Sequence, residues 1–198
     1  MAATIRSFNF LVLLWGMVVV VALIVRQPLP VDETRYLAVA WDMWLENHYL
    51  VPYLNGEPYS HKPPLLFWLM TAGWHLFGVN DWWPRLVAPL FGLGTMILTG
   101  HLATILWPGR TDVARTAPLL MFGALFWTVF TTLTMFDMMF AFFTVAALIA
   151  VVTVARTGKM RGFVLAGVMV GIGVLAKGPA ILLHYLPVAL TAPLWIPH

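Results

Sequence analysis

Apolar residues run through this chain in long blocks, and the polar residues collect between them. The first block, 8–25, is apolar apart from Asn9 and lies between Arg6 and Arg26. It approaches the roughly 20 residues a helix needs to cross a bilayer. It is longer than a signal core and has no small-x-small site before Arg26, so it predicts an uncleaved first span. The block at 86–107 predicts a second. In 117–155 the only charge is Asp137, and 39 residues suit two crossings, 117–135 and 137–155, joined by a tight turn with Asp137 near its tip. A glycine-rich block at 162–176 and an apolar one at 181–196 predict two more, separated by Lys177-Gly178-Pro179. Gly167 and Gly171 form a small-xxx-small pair suited to close helix packing.

The interval 26–85 has a different pattern. In 32–48, Leu37, Ala40, Trp41, Trp44 and His48 share one helical face, and Arg35, Asp42 and Glu46 share another. That predicts an amphipathic helix, and tryptophan on its apolar face suits the membrane interface. A turn-rich stretch containing Asn55-Gly56 follows, and Pro63-Pro64 marks the start of a second helix over 63–78. The fold class expected is therefore all-α: a polytopic transmembrane helix bundle with one or two interfacial helices in its first loop.

Composition supports the membrane reading. The chain of 198 residues is 61% hydrophobic and 10% charged, with mean hydropathy +0.87, against roughly 25% charge in soluble domains. No cysteine is present, which excludes disulfides and thiolate metal sites. The net charge of +3 comes from dispersed loop arginines, which argues against nucleic acid as a partner.

Charge placement sets an expected orientation. Arg6, then Arg110 and Arg115, then Arg156, Lys159 and Arg161 fall in alternate loops whose only acid is Asp112, which makes those loops cytoplasmic. The 26–85 loop holds Asp32, Glu33, Asp42, Glu46, Glu57 and Asp81 and belongs outside. On this count Asp32, Glu33, His61, Lys62, Asp137 and Lys177 all converge on the outer face. A single long span over 117–155 would instead bury Asp137 in lipid at a cost of about 2.5 kcal/mol or more.

Each of these residues has two readings. Asp32, opening a helix, reads as an N-cap or as a general base for an acceptor hydroxyl, with Glu33 beside it as a second acid. Lys62 precedes a proline-started helix, where free amides and the helix dipole favour an anion such as phosphate; it also reads as a lysine snorkelling to the interface. Lys177 repeats that arrangement. Asp137 reads as a helix cap or as a functional acid in an apolar setting. His61 reads as a metal ligand beside Asp32 or Glu33, although no DxD motif supports a metal-diphosphate site. Arg85, Asp81 and Trp82-Trp83 read as interface anchors, and His75, His101 and His184 as packing residues.

DETRY, then PYLNGEPYSHKPPL, with looser similarity at FDM and AKGP, resembles the first outer loop of the membrane-embedded C-type glycosyltransferases. The similarity is nearest the lipid A 4-amino-4-deoxy-L-arabinose transferases and the related protein O-mannosyltransferases. The resemblance implies a sugar donor linked to polyprenyl phosphate, such as undecaprenyl phosphate, and a lipid or protein acceptor on the outer face of a bacterial inner membrane. It places the catalytic acids at Asp32, Glu33 and Asp137 and the donor phosphate at Lys62, with Arg35, Tyr59 and Lys177 as further phosphate candidates. No cofactor is required by it. A divalent metal held by Glu33 and His61 is a further expectation, although the aminoarabinose transferases have glutamate where this chain has His61. Members of that family are longer, so the resemblance implies an N-terminal part. The alternative is a non-catalytic membrane protein that binds polyprenyl phosphate or anchors a partner.

Overall fold

The computed structural model describes residues 2–195, with side chains from Asn9 onward; Arg6 and 196–198 fall outside that set. Ten helices occur among the described residues: α1 (Ala2–Val25), α2 (Asp32–Glu46), α3 (Leu65–Phe77), α4 (Trp82–Leu106), α5 (Thr111–Gly123), α6 (Leu125–Thr131), α7 (Asp137–Thr157), α8 (Arg161–Lys177), α9 (Ala180–Leu190) and α10 (Ala192–Trp195). The chain is thus an all-α membrane protein. α4 and α7 are each long and apolar enough to cross a bilayer.

The run at 117–135 is not one straight helix. α5 begins earlier, at Thr111, and meets α6 at a 72° bend. The bend falls at Ala124, whose backbone is extended (ψ 119°) directly after Gly123. The last apolar run also breaks, at Thr191, a turn after Pro187 inside α9. Between α2 and α3, Asn55 and Gly56 both take positive φ (55° and 80°) and close a small antiparallel hairpin, β1 (Tyr53–Leu54) and β2 (Glu57–Pro58). The need for φ > 0 at both turn positions is what Asn-Gly supplies.

The core gathers side chains from α2 (Tyr36, Val39, Met43), α3 (Leu66, Phe67, Met70, Trp74), the start of α7 (Phe136, Met139, Phe143) and Ile181 of α9. The buried stripe of α2 is Glu33, Tyr36, Val39, Ala40 and Met43. The tryptophan face expected to be its apolar side lies next to that stripe: Trp41 is exposed, and Trp41 and Trp44 meet the edge of Trp74 at 6.0 Å. Trp41 and Trp44 thus hold α2 to α3 by meeting the core residue Trp74 edge to face.

Close packing of α8 does not use the glycines singled out by spacing. Gly167 and Gly171 have open space where a side chain would stand. A Cβ on Gly162 would come within 2.3 Å of Val154, and one on Gly173 within 2.2 Å of Ile181. Those two positions are where α8 presses on α7 and α9.

Candidate functional site

The two acids that open α2 differ sharply. Asp32 is the first residue of the helix, and the cap position belongs to Val31, with no side-chain capping bond. Its carboxylate therefore does not serve the helix end as an N-cap. It accepts a hydrogen bond from Arg35 one turn on at 2.5 Å and keeps about half of its surface exposed (51%).

Glu33 is 1% exposed. It takes both prongs of the Arg26 guanidinium, one at 3.0 Å, together with the Leu29 N–H at 2.8 Å and the Thr134 N–H at 2.6 Å. Each oxygen thus accepts two donors, which fills the lone pairs of a carboxylate. Burial by itself would raise its pKa, but the bonds from Arg26, Leu29 and Thr134 outweigh that and hold it below the usual carboxylate range. Glu33 therefore has no free lone pair for a metal or for an acceptor proton. His61, its expected metal partner, is exposed, with its ring tilted against Tyr59 at 5.3 Å. The Glu33–His61 pair does not fit a metal.

Arg85 corrects the reading of it as an interface anchor. It is buried and donates to the carbonyls of Ala22 (3.0 Å), Leu23 (3.1 Å) and Arg26 (2.5 Å). These carbonyls lie at and just beyond the end of α1, where a cation is favoured by the helix dipole; that of Ala22 also accepts the Arg26 N–H at 3.1 Å. Arg26 also donates to the Thr132 carbonyl at 2.6 Å. The two arginines and Glu33 thereby tie α1, α2, α4 and the 132–136 turn together. Sequence reading missed Arg26 as the partner of Glu33 and Arg85 as the support of Arg26; the available signal was a glutamate with no basic residue at i+3 or i+4.

The phosphate candidates surround an aromatic floor. Phe136 meets Tyr36 at 4.9 Å and Phe67 at 5.6 Å, both edge to face, and Tyr59 meets Phe67 at 6.2 Å. Lys62 Nζ stands 5.8 Å over Phe136, and the Arg35 guanidinium 5.5 Å over Tyr36. Asp137 opens α7 directly after Phe136 and accepts a 2.6 Å hydrogen bond from Lys177, at the end of α8; each side chain is about one-third exposed. Asp137 does not cap α7 with its side chain. Arg35 and Lys177 each hold an acid of the site, whereas Lys62 has no carboxylate partner among the described residues. Tyr59 is 6% exposed and its hydroxyl oxygen has no hydrogen-bond partner. Burial pushes its phenol pKa up, so it remains an O–H donor at neutral pH. A cation without an anion, a buried donor without an acceptor and an apolar floor together suit an anionic group carried on a lipid.

A separate cleft lies at the opposite end of α7. It has a volume of about 790 Å³ and is lined by Leu106, Val152, Arg156 and Trp195 among others.

The model of the family described as dolichyl-phosphate-mannose-protein mannosyltransferase matches residues 61–196. The chain belongs to this family. Its curated relatives include undecaprenyl phosphate-alpha-4-amino-4-deoxy-L-arabinose arabinosyl transferases. The one from Enterobacter sp. (strain 638) is 27% identical over 74% of this chain and 27% of its own length, and the one from Pseudomonas fluorescens (strain Pf0-1) is 29% identical over 83% and 29%. The crystal structure of ArnT from Cupriavidus metallidurans in the apo state superposes with a TM-score of 0.79 at 25% identity, covering 96% of this chain and 36% of ArnT. ArnT bound to undecaprenyl phosphate shares the fold, with a TM-score of 0.76 at 24% identity over 94% of this chain and 36% of ArnT. This family member spans under a third of the length of the curated relatives given above. The match begins at His61, so it includes Lys62, Asp137 and Lys177 and leaves out Asp32 and Tyr59.

Proposed function

We propose that the chain forms the first-loop half of a glycosyltransferase site, taking a sugar from a polyprenyl-phosphate donor to a lipid or protein acceptor at the outer face of a bacterial inner membrane. The observation that carries this reading is Lys62: an ammonium with no carboxylate partner among the described residues, three positions before α3 and over the Phe136 floor, to which Tyr59 with its unpartnered hydroxyl is joined through Phe67. The relatives named for undecaprenyl phosphate and aminoarabinose support the donor class. The basic loops on the other side support placing 26–85 in the periplasm.

In this reaction the acceptor hydroxyl oxygen attacks the sugar C1, and the bond from C1 to the phosphate oxygen breaks with its electron pair going to the phosphate. The hydroxyl proton passes to Asp32. Lys62, Tyr59 and Arg35 stabilise the charge that grows on the departing polyprenyl phosphate. Where the acceptor is itself an anionic phosphate, no proton needs to be removed and Asp32 orients the nucleophile instead. Lys177 holds Asp137 next to the floor.

The test is turnover by the chain in lipid vesicles supplied with sugar-labelled undecaprenyl-phosphate aminoarabinose or mannose. Release of undecaprenyl phosphate with label in the acceptor, lost in both Asp32→Asn and Lys62→Ala, supports the reading. Normal turnover in both variants at equal expression overturns it. Saturable binding of undecaprenyl phosphate without donor consumption favours the non-catalytic alternative.

A further inference from the structure

The acid next to the proposed base is buried, saturated and tied to the far side of the site. Glu33 and Arg26 hold the 132–136 turn at two points, the Thr134 N–H and the Thr132 carbonyl. That turn delivers Phe136, the floor under Lys62, and then Asp137, the partner of Lys177. Its other end is α6, 7 residues long with Leu125 and Phe126 exposed, which joins the turn through the buried Thr131, bonded to Met138 Sδ at 3.3 Å. Arg85 fixes the Arg26 backbone from α4, so the clamp is anchored to a helix long enough to span the membrane.

We propose that Glu33 is a positioning residue: its ion pair with Arg26 sets where the 132–136 turn stands against α2, and hence the spacing between Lys62 and Asp137. This rests on the glycosyltransferase reading for its kinetic consequence but not for its geometry. Glu33→Gln preserves shape while removing the charge and turning an amide NH2 toward the two donors that now point at one of the carboxylate oxygens. The turn then shifts relative to Asp32 without loss of any group that touches the substrate. A displacement on the order of 1 Å costs about 100-fold in turnover.

The absence of cysteine makes the geometry directly measurable. Spin labels on Ser60→Cys and Thr132→Cys, in the whole chain in lipid nanodiscs, report the distance between the Lys62 loop and the turn. The proposal expects a narrow distribution in the parent and a shifted or broadened one in both Glu33→Gln and Arg26→Lys. In turnover, Glu33→Gln falls about 100-fold with the acid limb of its pH profile unmoved, because the base is Asp32, and undecaprenyl phosphate binds more weakly. Glu33→Asp recovers part of both. An unchanged label distance in folded Glu33→Gln overturns the proposal. So does loss of the acid limb with phosphate binding intact, which would make Glu33 a proton acceptor. If the parent chain neither binds undecaprenyl phosphate nor consumes donor, the glycosyltransferase reading falls, and the label distances still decide the role of the clamp.

Discussion

Asp32 and Glu33 are neighbours in sequence and opposites in the fold. Asp32 has one partner, Arg35, and is half exposed; Glu33 has four donors on two oxygens and is buried. The helical turn explains the difference. Successive residues lie about 100° apart around α2, so Glu33 falls on the stripe shared with Tyr36, Ala40 and Met43, and Asp32 falls beside it at the edge. A buried carboxylate survives only when paired and hydrogen-bonded. One at the edge retains free lone pairs, which chemistry needs. The same contrast runs through the cations. Arg26 and Arg85 are spent on carbonyls and Glu33, whereas Lys62 has no carboxylate partner among the described residues.

Breaking the exposed side removes function at parent stability, and breaking the buried side lowers stability together with turnover. The largest effect should come from Asp32→Asn: turnover falls about 1000-fold, within the range for loss of a general base, while the melting temperature and undecaprenyl phosphate affinity stay at parent values. Equal loss of melting temperature would place Asp32 with Glu33 instead. Next is Glu33→Ala, which strands the Arg26 charge and should destabilise the protein by about 3–5 kcal/mol, measured by thermal melting in detergent.

Glu33 also sets a pH dependence. Its carboxyl is held below the usual range in the fold, so its stabilisation is fully present above the unfolded-state pKa and is lost as pH falls through the lowered folded value. The melting gap between parent and Glu33→Gln should narrow in acid. A gap constant with pH would show that the ion pair is not what Glu33 contributes.

Smaller again is Lys62→Ala, expected to weaken undecaprenyl phosphate binding about 10-fold or more, from the roughly 1.5–3 kcal/mol of a hydrogen bond to a charged group, with little change in melting. Titration of the two proteins with the lipid checks this. The smallest effect belongs to Asp112→Asn. Arg110 holds Asp112 down to about 2, yet both groups are exposed and the pair is screened by solvent. Melting should be indistinguishable from the parent.

Much of the architecture was legible in the sequence because lipid imposes long apolar runs, and those runs mark where helices stand. The α2 and α3 helices, the Asn-Gly turn and the start of α7 at Asp137 were all readable from periodicity and turn chemistry. The bend at Ala124 and the break at Thr191 were not, since hydropathy is blind to a backbone that leaves the helical region within an apolar run. The glycines that pack were misjudged for a related reason. Spacing pairs Gly167 with Gly171, but only the rotation of α8 against α7 and α9 selects Gly162 and Gly173.

What the sequence by itself determined is the kind of molecule and the charged residues available to it: a helical membrane chain with six unusual polar groups and no cysteine. Which of those groups are free was decided by tertiary structure alone. Glu33 and Asp32 carry the same functional group one residue apart, and helical spacing turns them to different faces without deciding what each face meets. The difference lies in Thr134, a hundred residues away, whose N–H arrives at Glu33 when the α6–α7 turn packs beside α2. Pairing across such distances depends on where helices pack, and one chain read in order contains no record of it.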